Sequence, residues 1–518
     1  VNAHNKLAEK IAVNSAVLLK NEDNILPLSK SSKVALIGDM AKNARYQGAG
    51  SSFIHPTMLD SAYQALQDRG ISFTYAQGVE SNSDKLNQVL IEEACKVAKD
   101  ADVAIIYAGL TDAYDSEGFD REHMKIPQNH INLIESVSKV NKNTIVVLSG
   151  GSAVEMEWID SVKGLLNIFL SGQASGNASI SLIFGENNPC GKLSETYPYK
   201  YADTPAYNNF PGGNLTVEYR ESIFVGYRYY DTAKVNVRFP FGFGLSYTSF
   251  EYSDLKLEKT KIKDDEKLKL SFKVKNTGKV AGSEIAQLYI KDIESTIFRP
   301  EKELKEFAKV YLEPNEEKEI TFELGKRAFA YFNVNINDWH IESGDFEVMV
   351  GSSSRDIKLR ETVTITSSDE NVAIPDYRES APEYYNGKMQ EVSDASFKAV
   401  LGRDIPQANR DADAGFDLSS TFDDLRATKM GNFIYTSIWK SNYKAMKVKD
   451  ENDKSFRMIM ASFGQTPLRS NVTMSKGMFT EKMANGVIDI CTNHKIRGVG
   501  RLLSGIPNAI VNLKNINK

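Results

Sequence analysis

Two hydrophobic periods divide this chain. From about Lys30 to Lys200, short unbroken apolar runs alternate with stretches whose apolar residues recur every three or four positions. Lys33-Val34-Ala35-Leu36-Ile37-Gly38 reads as a buried strand closed by glycine, and Val103 to Ala108, Thr144 to Ser149 and Leu165 to Leu170 repeat the pattern. Leu86, Val89, Leu90, Ala94 and Val97 lie at helical spacing between two of these runs, as do Ile131, Ile134 and Val137 after Pro127. Strands that alternate with helices of about 10 to 15 residues predict a mostly parallel sheet with helices on both faces, an α/β sandwich domain over residues 1–201. Ligands of such sheets bind beyond the carboxyl ends of the strands, which directs attention to the loops after Gly38, Gly109 and Ser149.

From about Phe250 to Ile365 the period becomes two. Leu268, Leu270, Phe272 and Val274 alternate with polar residues, as do Ile320, Phe322 and Leu324, then Phe346, Val348 and Val350. Turn signals at Asn276-Thr277-Gly278, Pro314-Asn315 and Ser343-Gly344 separate them, so residues 249–366 predict an all-β sandwich. Residues 202–248, dense in Tyr, Pro, Gly and Arg without a sustained period, predict an extended connector packed over both domains. Residues 367–518 predict a linker and a small, mostly helical extension, on the strength of Met483, Val487 and Ile490 and of Leu502, Leu503, Ile506 and Ile510. The chain opens at Val1 without methionine and runs straight into the helical spacing of Leu7, Ile11, Ala12 and Ala16, which reads as an internal position of something longer.

Length and charge narrow the function. A chain of 518 residues has room for roughly three or four domains. Its 63 basic and 68 acidic residues leave a net charge of −5, which offers no electrostatic case for a nucleic-acid partner. The apolar runs are too short to span a bilayer, and no leader is visible, so a cytoplasmic location in a bacterium is expected rather than secretion. Cys95, Cys190 and Cys491 are too few and too scattered for a disulfide framework or a zinc site. The six histidines include no pair at metal-ligand spacing with a carboxylate, so neither a metal nor a cofactor is expected. Nothing bears on self-association, and a homo-oligomer stays open.

The stretch richest in chemistry is Gly109 to Arg121, at a predicted strand end. It gathers Asp112, Asp115, Glu117, Asp120 and Arg121 with Tyr114 and Phe119. A carboxylic acid that donates a proton near neutral pH needs a raised pKa, obtained by partial burial beside aromatic rings and by a neighbouring carboxylate. Glu117, with Tyr114, Phe119 and Asp115 near it in sequence, has those ingredients. The plainer reading is a solvated acidic loop in which Asp120 pairs with Arg121. Tyr227, Tyr229, Tyr230 and Phe243 are candidates for a sugar-stacking wall, against the commoner role of packing between domains.

The order of motifs resembles glycoside hydrolase family 3, its β-glucosidase-like members, over nearly the whole chain. Val17-Leu18-Leu19-Lys20-Asn21-Glu22 with Leu26-Pro27-Leu28 is similar to the entry into that family's α/β sandwich domain, and Ser116-Glu117-Gly118-Phe119-Asp120-Arg121 resembles its acid/base loop. Gly172-Gln173, Gly176-Asn177-Ala178, Phe184-Gly185-Glu186 and Pro189-Cys190-Gly191-Lys192-Leu193 follow in the family's order. Gly226-Tyr227-Arg228-Tyr229-Tyr230 and Phe239-Pro240-Phe241-Gly242-Phe243-Gly244-Leu245-Ser246-Tyr247 come after them. The sequence departs from common members at Asp115, often glutamate, and at Leu170-Ser171-Gly172, often with proline before the glycine.

The resemblance implies a retaining, exo-acting β-glucosidase-like hydrolase acting on terminal β-D-glucosyl residues of a glucoside or oligosaccharide. It also implies that the all-β sandwich of residues 249–366 is of immunoglobulin or fibronectin type III kind. It assigns Glu117 as general acid/base and places Ser51, in Gln47-Gly48-Ala49-Gly50-Ser51-Ser52, against the sugar. A plain Gly/Ser turn is the alternative for that loop, and Phe53 where a third glycine would stand argues against a dinucleotide fingerprint. The family's nucleophilic aspartate belongs to a separate (β/α) barrel, for which this chain has no room. The barrel domain is therefore an expected partner, and the chain alone is expected to be inactive. Asn337-Asp338-Trp339 looks like the nucleophile's context but falls among the strands of the β-sandwich. Two rivals remain: a β-xylosidase or arabinofuranosidase of the same family, and a non-catalytic carbohydrate-binding or interaction protein.

Overall fold

A computed structural model of the chain describes residues 1–81, 83–410, 415–448, 451 and 453–516; parts of the expected extension, at 411–414, 449, 450, 452, 517 and 518, lie outside the described residues. Two compact units emerge, one of residues 1–47, 55–111 and 123–406, the other of residues 48–54, 112–122 and 407–518.

The first unit begins with α1 (Asn2–Ser15), β1 (Val17–Asn21), β2 (Val34–Ile37), α2 (Ala62–Asp68), β3 (Phe73–Ala76), α3 (Gln88–Lys99), β4 (Val103–Gly109), α4 (Gln128–Val140), β5 (Thr144–Ser149), β6 (Gly164–Asn167) and α5 (Ser175–Ile183). Its six-stranded sheet runs β1-β6-β5-β4-β2-β3, parallel throughout except for β1 against β6. Every residue of β2, β4, β5 and β6 is buried, which is why these strands read as continuous apolar runs and not as alternation. Leu36, Ile105, Tyr107 and Val147 face one layer with Ala12, Ala65, Leu66 and Ala178 of α1, α2 and α5. On the opposite face Ile37 lies near Leu133 of α4, and α3 packs against α4. The α/β sandwich with a mostly parallel sheet is thus present.

Helix faces differ in detail from the apolar spacing. In α1 the exposed residues include Leu7 and Ile11 while Ala12 and Val13 are buried; in α3 Val89 is exposed while Ile91, Ala94 and Ala98 are buried. Small alanines face inward at these contacts because a helix seated closely on a sheet has little room for longer side chains.

After the short strand β7 (Tyr197–Pro198), the connector holds α6 (Tyr227–Thr232) and β8 (Val237–Phe239), the latter paired with β7. Next come β9 (Phe250–Leu257), β10 (Lys261–Lys263), β11 (Leu268–Asn276), β12 (Gly282–Asp292), β13 (Glu303–Leu312), β14 (Glu317–Leu324), β15 (Tyr331–Asn333), β16 (Asp338–His340), β17 (Gly344–Ser353) and β18 (Asp356–Thr366). A five-stranded sheet, β10-β18-β17-β12-β13, and a three-stranded sheet, β14-β11-β9, enclose one core around Phe272, Leu288, Phe346 and Val348. The period of two reflects this arrangement, since alternate side chains of β11 enter that core.

Residues beyond the sandwich stay with the first unit through α7 (Asp394–Leu401). Tyr384, Met389 and Phe397 form one cluster with Phe224, Tyr229, Tyr230 and Phe298. Tyr227 packs separately with Tyr289 and Met349, so all three connector tyrosines, Tyr227, Tyr229 and Tyr230, are interior packing residues and not a sugar platform. Asn337-Asp338-Trp339 sits in the β15–β16 hairpin among the strands of the β-sandwich, with the Arg327 guanidinium 3.3 Å from the Trp339 ring centroid.

The second unit contains α8 (Phe422–Leu425), α9 (Lys429–Ala445), α10 (Lys454–Gln465), α11 (Leu468–Met474), α12 (Glu481–Cys491) and α13 (Lys495–Ile516). Phe422, stacked on Phe463 at 4.2 Å, centres a core with Leu425, Leu468, Val487 and Ile488. Leu502 packs into this core, whereas Leu503, Ile506 and Ile510 of α13 are exposed. Among the described residues no helix is long and apolar enough to cross a membrane.

Candidate active site

Strand order decides which loops matter. The chain passes from β2 outward to β3, then returns to place β4 on the other side of β2, so the order reverses between β2 and β4. That point of reversal is where open α/β sheets leave a crevice at their carboxyl ends. The connection after β2 carries Ser51, and the connection after β4 carries Glu117. The two segments, residues 48–54 and 112–122, belong together to the second unit.

Within that unit the two candidates meet. The Ser51 amide donates to Glu117 Oε2 at 2.5 Å, and the Ser51 hydroxyl donates to Oε1 at 3.1 Å. The approach is close because residue 50 is glycine: its φ is +92°, and a Cβ there would fall 2.3 Å from Glu117 Oε2. Glu117 is exposed, and both Ser51 donors stabilise its charged form, so its carboxyl is held below the usual carboxylate range. This differs from the raised pKa that the neighbouring aromatics suggest. Phe119 spends its ring on a cation, with the Arg457 guanidinium 4.1 Å from its centroid.

Arg457 is the residue that sequence reasoning missed. It projects from α10, donates to the Ala113 carbonyl at 3.2 Å and covers Phe119, so it grips the acid loop on both sides of Glu117. Nothing local could have flagged it, because 344 residues separate it from Ala113. Gly118 lies under the next residue of that helix: its φ is +94°, and a Cβ would come within 3.0 Å of the Met458 side chain. Helix α10 begins with the Asp453 side chain accepting from the Phe456 amide, which fixes where Ser455, Arg457 and Met458 emerge. Ala49, Gly50, Phe53, Ser116, Ser455 and Met458 enclose a cavity of about 260 Å³ beside Glu117. That volume is slightly below the range of about 300 to 1,000 Å³ typical of small-molecule sites. Among the described residues no group of three or more His, Cys, Asp or Glu residues could hold a metal ion.

Residues 16–247 match the glycosyl hydrolase family 3 C-terminal domain, and residues 284–354 match a fibronectin type III-like domain. Together with the crossover geometry, these define the class: a carbohydrate-hydrolase α/β sandwich domain followed by its β-sandwich companion. Residues 16–247 thus form a glycoside hydrolase family 3 C-terminal domain, and the chain as a whole is similar to β-glucosidases of that family. It is 45% identical over 496 residues to thermostable beta-glucosidase B of Acetivibrio thermocellus, covering 95% of this chain and 60% of that protein. It is 42% identical over 375 residues to an exo-alpha-(1->6)-L-arabinopyranosidase of Bifidobacterium breve, covering 70% of this chain and 49% of that protein. The crystal structure of Bifidobacterium adolescentis GH3 beta-glucosidase superposes with a TM-score of 0.69 at 42% identity, over 72% of this chain and 55% of that one. Beta-glucosidase 3B of Thermotoga neapolitana, solved in complex with alpha-D-glucose, superposes with a TM-score of 0.64 at 35% identity, over 70% and 54%. The chain thus spans about half to three fifths of the length of these relatives.

Proposed function

We propose that this chain supplies the proton-transfer side of a retaining, exo-acting β-glycosidase that removes terminal β-D-glucosyl residues. Glu117 is the general acid/base, Ser51 lies against the sugar, and the nucleophilic aspartate belongs to a barrel outside this chain. The observation that carries the reading is the pairing of Ser51 with Glu117 on the two connections that leave adjacent parallel strands where the strand order reverses.

A retaining mechanism needs two carboxyl groups about 5 to 5.5 Å apart. As the bond to the leaving oxygen breaks, Glu117 delivers its proton to that oxygen while the nucleophile attacks the anomeric carbon. In the second step Glu117 takes a proton from the water that releases the sugar. Ser51 favours the carboxylate, which suits the second step. The first step requires a proton on Glu117, gained when bound sugar excludes water and the charged nucleophile lies nearby.

The test is Glu117→Gln in the enzyme that carries this chain together with its nucleophile domain. Hydrolysis of glucosides with poor leaving groups should fall by about 10²- to 10⁴-fold, and activated aryl glucosides should be spared more. Similar rates for variant and parent on both substrates would refute the role. A second reading, favoured by the Bifidobacterium breve arabinopyranosidase, keeps the chemistry and changes the sugar to an arabinoside. Comparing kcat/KM on aryl β-glucosides and arabinosides separates the two.

A further inference from the structure

One cleft of the first unit is made by residues that the proposed chemistry does not use. It lies between the turn at Pro240 to Ser246 and the start of the β-sandwich, and encloses about 490 Å³. Lys192, Phe243, Phe250, Tyr252, Glu284 and Asp356 line it.

The charges in this cleft are already matched. Lys192 Nζ lies 3.0 Å from Glu284 Oε1 and donates to the Gly244 carbonyl at 2.9 Å, with both side chains nearly buried. Lys358 pairs with Asp356 at 2.8 Å, and the Ser352 hydroxyl donates to Asp356 at 2.6 Å. Arg355, also at the lining, is consumed by Asp231 and by the Tyr230 and Val235 carbonyls. With each cation held by a carboxylate, the cleft offers no net charge for a charged ligand to neutralise. What it does offer is two half-buried aromatic rings, Phe243 and Phe250, and one unsatisfied polar atom. The hydroxyl of Tyr252, a residue only 9% exposed, has no hydrogen-bond partner among the described residues. A buried hydroxyl left without a partner costs about 1 to 3 kcal/mol, and a ligand that supplies one recovers that cost. Burial, with Glu284 and Asp356 nearby, holds this phenol protonated, so it is a standing donor.

We infer that this cleft is a binding site for a neutral pyranose sugar, formed by residues of the first unit alone. The ring's C–H face lies on Phe243 or Phe250, a sugar oxygen accepts from Tyr252, and the paired carboxylates and ammonium groups take the remaining hydroxyls. This assignment does not depend on the role of Glu117.

The test titrates methyl β-D-glucopyranoside into the full chain, followed by ligand-observed NMR, for the parent, Tyr252→Phe and Asp356→Ala. Saturable binding is expected in the parent. Tyr252→Phe should weaken it about fivefold, the loss of one hydrogen bond, without lowering the thermal midpoint, because the hydroxyl removed has no partner among the described residues of the unliganded chain. Asp356→Ala, a change at an exposed side chain, should weaken it as well. No saturable binding in the parent, equal affinity in all three proteins, or saturation by inorganic phosphate in place of the glucoside would overturn the inference.

Discussion

Glu117 and Ser51 form a hydrogen-bonded pair whose two donors come from one residue, a backbone amide and a hydroxyl. Removing the hydroxyl leaves the amide in place, so the contributions can be separated. Ser51→Ala should raise the pKa of Glu117 toward its ordinary value, measured by NMR titration of the side-chain carboxyl; an unchanged titration would show that the hydroxyl does not bind it. The sign for stability follows from the same pair. A carboxyl with a depressed folded pKa stabilises the fold above its unfolded pKa, and the contribution is lost as pH falls through the folded value. At an exposed pair that contribution is small, and the effect belongs to reactivity.

At the scale of elements, α10 positions the acid loop and α4 carries a buried base. Arg457→Ala removes one guanidinium that both holds the Ala113 carbonyl and covers Phe119. Amides of residues 112–122 should then exchange about fivefold faster, corresponding to about 1 kcal/mol of lost local protection. Amides in the core of α12 should be unaffected. His130 of α4 is fully buried, and its Nδ1 accepts from the Gly109 amide at 3.2 Å, at the end of β4. Burial pushes its pKa down to about 4 from 6.5. The unfolded chain therefore binds a proton that the folded chain refuses between those values, and stability falls as pH drops from about 6.5 toward 4. The loss from this group is of order 3 kcal/mol. Denaturant melts across that range should show it for the parent and a flatter profile for His130→Gln.

At the scale of the molecule, the first unit joins its α/β layer to the β-sandwich through a nearly buried ion pair, Lys192 with Glu284. Breaking such a pair costs more than the pair contributes, because the remaining charge stays desolvated. Glu284→Ala should destabilise the first unit by about 3 to 5 kcal/mol, whereas Lys192→Met with Glu284→Leu should come close to the parent. Equal losses in both variants, read from chemical denaturation, would show that the site's shape matters and its charge does not.

Much of this was legible in the chain. The buried strands of the parallel sheet appear as unbroken apolar runs, and the sandwich strands as alternation, because a strand covered on both faces and a strand covered on one leave different periodicities. The acidic loop around Glu117 is marked by its local composition, whereas Ser51 is suggested only by the family resemblance. Helix faces were less legible, since Leu7, Ile11 and Val89 are apolar yet exposed, while alanines make the close contacts. Tertiary structure alone decided three things: that Ser51 binds Glu117, that Arg457 holds the loop, and that Tyr252 keeps a buried hydroxyl without a partner among the described residues. Each depends on groups far apart in sequence brought within a few ångströms. Periodicity reports only which face of a local element is covered; which distant atom covers it is settled by how the elements pack.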